Sequence, residues 1–134
     1  MVWYTLHMKR LPKHWLLMFI GLFIVLPFGY HFYSLSTPGE LDGFTQCLAD
    51  KQVKFYGAFW CPHCQSQKKI FGKSAKLLPY VECSNSDGKT QTQICIDQKI
   101  TSYPTWEFPG EPEKQTGELT LAQLAEKTGC VLPQ

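Results

Sequence analysis

No acidic residue precedes Glu40, no cysteine precedes Cys47, and Arg10 is the only arginine in the 134 residues. The first absence leaves a leader whose charge is entirely positive, carried by Lys9, Arg10 and Lys13. From residue 37 onward ten lysines stand against eleven acids, so the formal net charge of +2 belongs to the leader and describes no basic surface. An arginine-free, slightly acidic remainder offers nucleic acid no electrostatic footprint. Pro and Gly follow no period, and there is neither an internal repeat nor a low-complexity tract, which excludes collagen-like chains. A hydrophobic share of 44% with 14% aromatics excludes disorder, and the length suits one compact domain.

Ahead of that domain lies an apolar run, WLLMFIGLFIVLPFGYHFY, residues 15–33, without a formal charge. As a helix it would be about 28 Å long at about 1.5 Å per residue, close to the roughly 30 Å hydrocarbon core. Trp15, Tyr30 and Tyr33 suit the two interfaces, and Pro27 lies near its end. The cations before the run and the acids after it predict a cytoplasmic N-terminus and an extracytoplasmic remainder. The expected organisation is a cytoplasmic leader over 1–14, a single-pass anchor or uncleaved signal over 15–33, a linker over 34–40, and a domain over 41–134. A cleaved signal peptide ending at Ser34-Leu35-Ser36 is the competing reading. Mature protein beginning at Thr37 would refute the anchor. His7, His14 and His31 belong to this region and read as interfacial residues.

Thr37, Pro38 and Glu40 carry the marks of a helix start, followed by Leu41, Phe44 and Leu48 at helical spacing. Val53 to Phe59 reads as a strand, Pro62 to about Lys73 as a helix, Pro79 to Cys83 as a strand, and Ser84 to Gly88 as a loop. Thr90 to Lys99 reads as a short helix, Thr105 to Phe108 as a strand, and Glu113 to Gly117 as an edge strand. Thr120 and Gln123 form a capping box for a last helix that Gly129 terminates. This order predicts an α/β fold with helices packed on one small central sheet.

The chemistry concentrates in Trp60-Cys61-Pro62-His63-Cys64. A C-x-x-C at a strand-to-helix junction sets the first sulfur at a helix N-terminus, where unpaired N–H groups and the dipole favour thiolate over thiol. The second sulfur is one turn along, within reach of a disulfide. Pro62 has no N–H to lose in the first turn, and His63 adds a donor or a positive charge that makes the disulfide more oxidising. Cys61, Cys64, Cys83 and Cys95 also form C-x2-C-x18-C-x11-C, whose second pair is too widely spaced for a zinc ribbon, so no metal is expected. No cofactor is expected either beyond the Cys61–Cys64 disulfide itself. The four remaining cysteines allow three pairings. Trp60 reads as a shield for the sulfurs or as packing, and Lys68 and Lys69 as a solvated helix face.

Trp60-Cys61-Pro62-His63-Cys64 after a hydrophobic strand, followed by Ser102-Tyr103-Pro104-Thr105, resembles the thioredoxin superfamily. The Pro-His dipeptide resembles that of the periplasmic oxidant DsbA. Residues 41 to 130 resemble more closely the thioredoxin-like domain fused to bacterial and plant vitamin K epoxide reductase homologues. That likeness rests on Phe55 to Cys64, Phe71-Gly72, Tyr80 to Cys83, Thr101 to Trp106 and Gly117-Glu118-Leu119. The resemblance implies a thioredoxin-like fold with a small mixed sheet, a cis-proline at Pro104 facing the active cysteines, and Tyr103 offering backbone to a bound peptide. It also implies a Cys83–Cys95 bridge, leaving Cys47 with Cys130, a staple whose large loop restricts the unfolded state by about 4 kcal/mol. The alternative is a second redox pair at Cys83 and Cys95. One departure is Phe55, six residues before Cys61, where thioredoxins and DsbA carry a buried carboxylate. Proton transfer at Cys64 must then use water, Lys68, Glu82 or backbone near Pro104.

These readings converge on a membrane-anchored extracytoplasmic thiol-disulfide oxidoreductase that oxidises exported cysteine-containing proteins, in a periplasm, at a cell exterior or in a lumen. Its expected partner is a separate vitamin K epoxide reductase-like or other quinone-linked membrane protein. A reductase or isomerase of the same fold, and a non-catalytic peptide-binding module, are the alternatives.

Overall fold

A computed structural model describes residues 13–134, which divide into two units at Thr37. The leader's residues 1–12 lie outside the described part. In the first unit α1, Lys13–Ser36, is one helix of 24 residues that continues past Pro27. It overruns both expected boundaries of the apolar run, and the 34–40 linker shrinks accordingly, because the Thr37 N–H still donates to the Tyr33 carbonyl. Its apolar side chains face outward, Phe23 being 85% exposed. The described side chains from Leu17 to Tyr33 rise about 26 Å, and among the described residues no helix is long and apolar enough to cross a membrane.

The second unit, Pro38–Gln134, contains α2 (Asp42–Asp50), β1 (Lys54–Gly57), α3 (Pro62–Lys69), a 3-10 segment (Gly72–Leu77), β2 (Tyr80–Glu82), α4 (Gln93–Asp97), β3 (Thr105–Glu107), β4 (Gln115–Thr116) and α5 (Leu121–Thr128). The sheet order is β2-β1-β3-β4, with β1 parallel to β2 and antiparallel to β3, so the sheet is mixed and β4 forms an edge. Alternation along β1 sends successive side chains to opposite faces. Phe55 enters the larger core with Leu48, Phe71, Trp106, Phe108 and Leu124, stacking on Trp106 at 4.5 Å. Tyr56 enters a smaller cluster with Cys83, Cys95 and Ile100. Each fully buried aromatic contributes about 1.5–3 kcal/mol in burial.

Two predicted boundaries are corrected. The first domain helix starts at Asp42, not at Thr37, because Thr37 closes the last turn of α1 and the start is fixed by other groups. The Gly39 N–H donates to Asp42 Oδ2 at 3.0 Å, and the Leu41 N–H donates to Ser74 Oγ at 3.1 Å. The helix predicted to reach Lys73 ends at Lys69, since Gly72 takes a left-handed φ of 53° and the chain tightens into the 3-10 segment. By contrast α5 has the expected capping box at Thr120 and Gln123, with Gly129 left-handed at its C-terminus.

Candidate functional site

β1 ends at Gly57, and the chain turns through Ala58 to Trp60 so that Cys61 occupies the N-cap of α3 and Pro62 its first turn. Cys61 and Cys64 are free thiols and both are buried. The Cys61 sulfur lies 3.8 Å from the Tyr103 carbonyl, which precedes a cis Tyr103–Pro104 bond. Pro104 is buried, and its own carbonyl is taken by the Gly117 N–H of the sheet edge. The fold therefore brings Cys61 against Tyr103, 42 residues away in the chain, and with it the Cys61–Cys64 turn to the segment that carries Pro104.

The two sulfurs differ in setting. Burial pushes the Cys64 thiol up to about 12, against a lowering backbone bond at Ala58; the thiol is further raised by its hydrogen bond with Cys61 and lowered by the Lys68 charge. Gly57 is what lets this sulfur in. A Cβ there would fall 2.8 Å from Cys64 Sγ and 2.9 Å from the Tyr80 ring.

Around the pair, His63 Nδ1 pairs with Glu118 Oε1 at 2.7 Å across the exposed end of α3. Gln67 fixes the strand end that carries Glu118: its amide donates to the Leu119 carbonyl at 2.9 Å and its oxygen accepts the Leu119 N–H at 2.7 Å. Trp60, half exposed, donates from Nε1 to Ser84 Oγ and sets its ring edge-on to Tyr103 at 6.1 Å. Phe59 beside it is similarly exposed, giving the site an apolar rim. Tyr103 is anchored in turn, its hydroxyl accepting from Gln91 Nε2 at 2.7 Å.

Sequence reasoning missed Glu118 and Gln67 as parts of the site; Glu118 stands in Gly117-Glu118-Leu119, but nothing in that string points to His63. It read Lys68 both as part of a solvated helix face and as a candidate for proton transfer at Cys64, and the first of these is corrected. Lys68 is half-buried, with Nζ 3.2 Å from the Tyr80 ring centre, whereas Lys69 is exposed. The remaining cysteines lie apart from the pair. Cys47 of α2 is bonded to Cys130 just beyond α5, and Cys83 after β2 to Cys95 of α4. Among the described residues no group of three or more His, Cys, Asp or Glu side chains is placed to hold a metal ion.

The sequence profile of the thioredoxin family matches residues 41–128. Over 86 residues the chain is 47% identical to thiol-disulfide oxidoreductase LTO1 of Arabidopsis thaliana, covering 61% of this chain and 22% of that protein. Over 83 residues it is 34% identical to the thioredoxin domain-containing protein 5 homolog of Drosophila melanogaster, covering 52% of this chain and 19% of the relative. It is 32% identical over 83 residues to human protein disulfide-isomerase A2, covering 55% and 16%. The chain thus spans about a fifth of the length of these relatives.

Proposed function

The chain belongs to the thioredoxin family, and on that premise we propose that it is a thiol-disulfide oxidoreductase working through Cys61 and Cys64. The observation that carries this reading is the pair of free thiols on the first turn of α3, with Cys61 against the backbone that leads into cis-Pro104. In the oxidising direction a substrate thiolate attacks Cys61 Sγ of the Cys61–Cys64 disulfide, and Cys64 leaves as a thiol after taking a proton. A second substrate thiolate then attacks the substrate sulfur of the mixed disulfide, the substrate leaves oxidised, and the pair is left reduced. His63, two residues after Cys61 and paired with Glu118, tunes the potential, and Tyr103, Pro104 and Trp60 receive the substrate chain.

We further propose that the substrates are exported cysteine-containing proteins. Two bonded cysteine pairs in the same domain suit an oxidising compartment. The uncharged apolar run over residues 15–33, with Lys9, Arg10 and Lys13 before it, is the ground for an anchor whose N-terminus is cytoplasmic. Reoxidation falls to a quinone-linked membrane partner of the vitamin K epoxide reductase type, a proposal that rests on the motif resemblance of residues 41 to 130. The protein disulfide-isomerase relative favours isomerisation as the second reading.

The test is catalysed refolding of a reduced, disulfide-dependent protein. The oxidised chain is expected to accelerate it, and Cys61→Ser to abolish the acceleration. Equal rates with Cys61→Ser would overturn the enzymatic reading and leave a peptide-binding module. Equilibration of the pair with glutathione gives the direction, a potential near that of thioredoxin pointing to reduction and a much higher one to oxidation.

A further inference from the structure

Closing the Cys61–Cys64 disulfide on a mixed disulfide requires Cys64 to ionise, and its surroundings oppose that. Cys64 is 1% exposed, and in the same core cluster Phe55 stacks on Trp106 and meets Tyr80 edge-on, with no charge to offer. On its own helix it faces the Cys61 thiol and, one turn on, Lys68. Positions four apart on a helix share a face. From β2 it is approached by Tyr80, whose ring and Cys64 Sγ both press on the bare Cα of Gly57. The Tyr80 hydroxyl donates to Glu82 Oε2 at 2.9 Å, and Glu82 Oε1 accepts the Phe59 and Ser84 N–H groups at 3.1 and 2.9 Å. From β3 the nearest acid, Glu107, is engaged by Tyr56, Lys54 and Lys114, and the 3-10 segment against α3 carries Lys73 and Lys76.

Lys68 is the member of this set that can help. Its Nζ rests 3.2 Å from the Tyr80 ring centre, and its charge interacts favourably with both Cys64 and Glu82. The tethered Glu82 and the ring face hold the ammonium in place, while burial makes it short of water and raises its need for an anion. We propose that Lys68, held on Tyr80 by Glu82, is the positioned charge that lets Cys64 ionise when it resolves a mixed disulfide. The inference rests on the oxidoreductase reading and assigns a residue to its resolving step. In that step Cys64 gives its proton to water and its thiolate attacks Cys61 Sγ. When the reduced pair is re-oxidised through a mixed disulfide with a disulfide oxidant, the Cys61–Cys64 bond forms, the bond from Cys61 to the oxidant's sulfur breaks, and that half of the oxidant leaves as a thiolate that water protonates. Cys64 is oxidised, the departing sulfur of the oxidant is reduced, and Cys61 stays at the disulfide level throughout.

The experiment uses the full chain, reduced and then mixed with oxidised glutathione, following the Cys61–glutathione adduct by acid quench and mass across pH. Lys68→Met is expected to leave formation of the adduct unchanged, to slow its resolution about tenfold near pH 7, and to move the resolution profile about one unit to higher pH. Lys68→Arg, which keeps the charge on a similar stem, is expected to restore the rate to within about threefold and the profile to its original position. Lys68→Met resolving like the parent would overturn the proposal, as would Lys68→Arg resolving as slowly as Lys68→Met, which would reduce Lys68 to packing on Tyr80. Failure of the unaltered chain to form any adduct would instead strike the oxidoreductase reading itself.

Discussion

Three of the four bonded cysteines are as buried as the free pair, Cys47 being half-buried, yet they sit among different neighbours. Cys83 and Cys95 are fully enclosed with Tyr56 and Ile100, and Cys130 is 3% exposed at the end of the domain. Cys61 and Cys64, at 5% and 1%, are no more open. The free pair is set apart by its polar surroundings: a helix N-terminus, the Tyr103 carbonyl, the His63–Glu118 pair and Lys68. The topology differs too. The bonds from Cys47 to Cys130 and from Cys83 to Cys95 join separate elements, whereas the free pair shares one turn of one helix. Burial therefore says little about which sulfurs react. The charges and dipoles aimed at them, and what each bond ties down, say more.

The sharpest way to break this contrast is to remove the staples. Cys47 and Cys130 are 83 residues apart, and replacing both with Ser is expected to cost about 4 to 5 kcal/mol through the freed unfolded chain. The same change at Cys83 and Cys95, 12 residues apart, is expected to cost about 3 kcal/mol. Denaturant unfolding measures both. Glutathione exchange at Cys61 should persist in each variant under conditions where it is still folded. Loss of exchange in the folded Cys83/Cys95 variant would instead make that pair a redox relay.

What the sequence made legible was whatever it writes locally. The Cys-Pro-His-Cys turn, the capping box of α5, the strand character of β1 and the edge position of β4 depend on neighbours a few residues away. The rest of the site is assembled across long separations. Glu118 meets His63 from 55 residues away and Leu119 meets Gln67 from 52, with no periodicity to announce either contact. Lys68 looked solvated because its own helix is polar throughout; the aromatic ring that half-buries it arrives on β2. The start of α2 was misread for a similar reason. Thr37 belongs by hydrogen bonding to the helix before it, and the groups that fix Leu41 and Gly39 are Ser74 and Asp42.

A smaller change probes the boundary between packing and chemistry. Gly57→Ala would place a methyl at 2.8 Å from Cys64 Sγ and 2.9 Å from the Tyr80 ring, so either the sulfur or the ring must shift. Overpacking of this kind costs about 1–3 kcal/mol. Because the sulfur is one of the two groups displaced, resolution of a Cys61–glutathione adduct should slow as well. Lost stability with an unchanged resolution rate would show that Tyr80 alone gives way, and that the position of Cys64 is not set by Gly57.

The smallest expected effect separates Cys64 from the staples by titration, since a bonded cysteine carries no proton. In the folded, reduced chain the Cys64 thiol is pushed up to about 12 by burial, while in the unfolded chain it ionises near its ordinary value of 9. Between these values the native state holds the proton and the unfolded state has lost it. Stability therefore falls as pH rises from about 9, by no more than about 1.4 kcal/mol per unit. Tyr56 and Tyr80 are also raised by burial and their bonds to Glu107 and Glu82, so they push the same way above pH 10. Comparing the reduced chain with reduced Cys64→Ser cancels the tyrosines. The gap between their unfolding midpoints, measured from pH 8 to 10, should change in the direction that costs the unaltered chain its advantage. A gap that stays constant over that range would mean that the Cys64 thiol is no better sheltered in the folded chain than in the unfolded one.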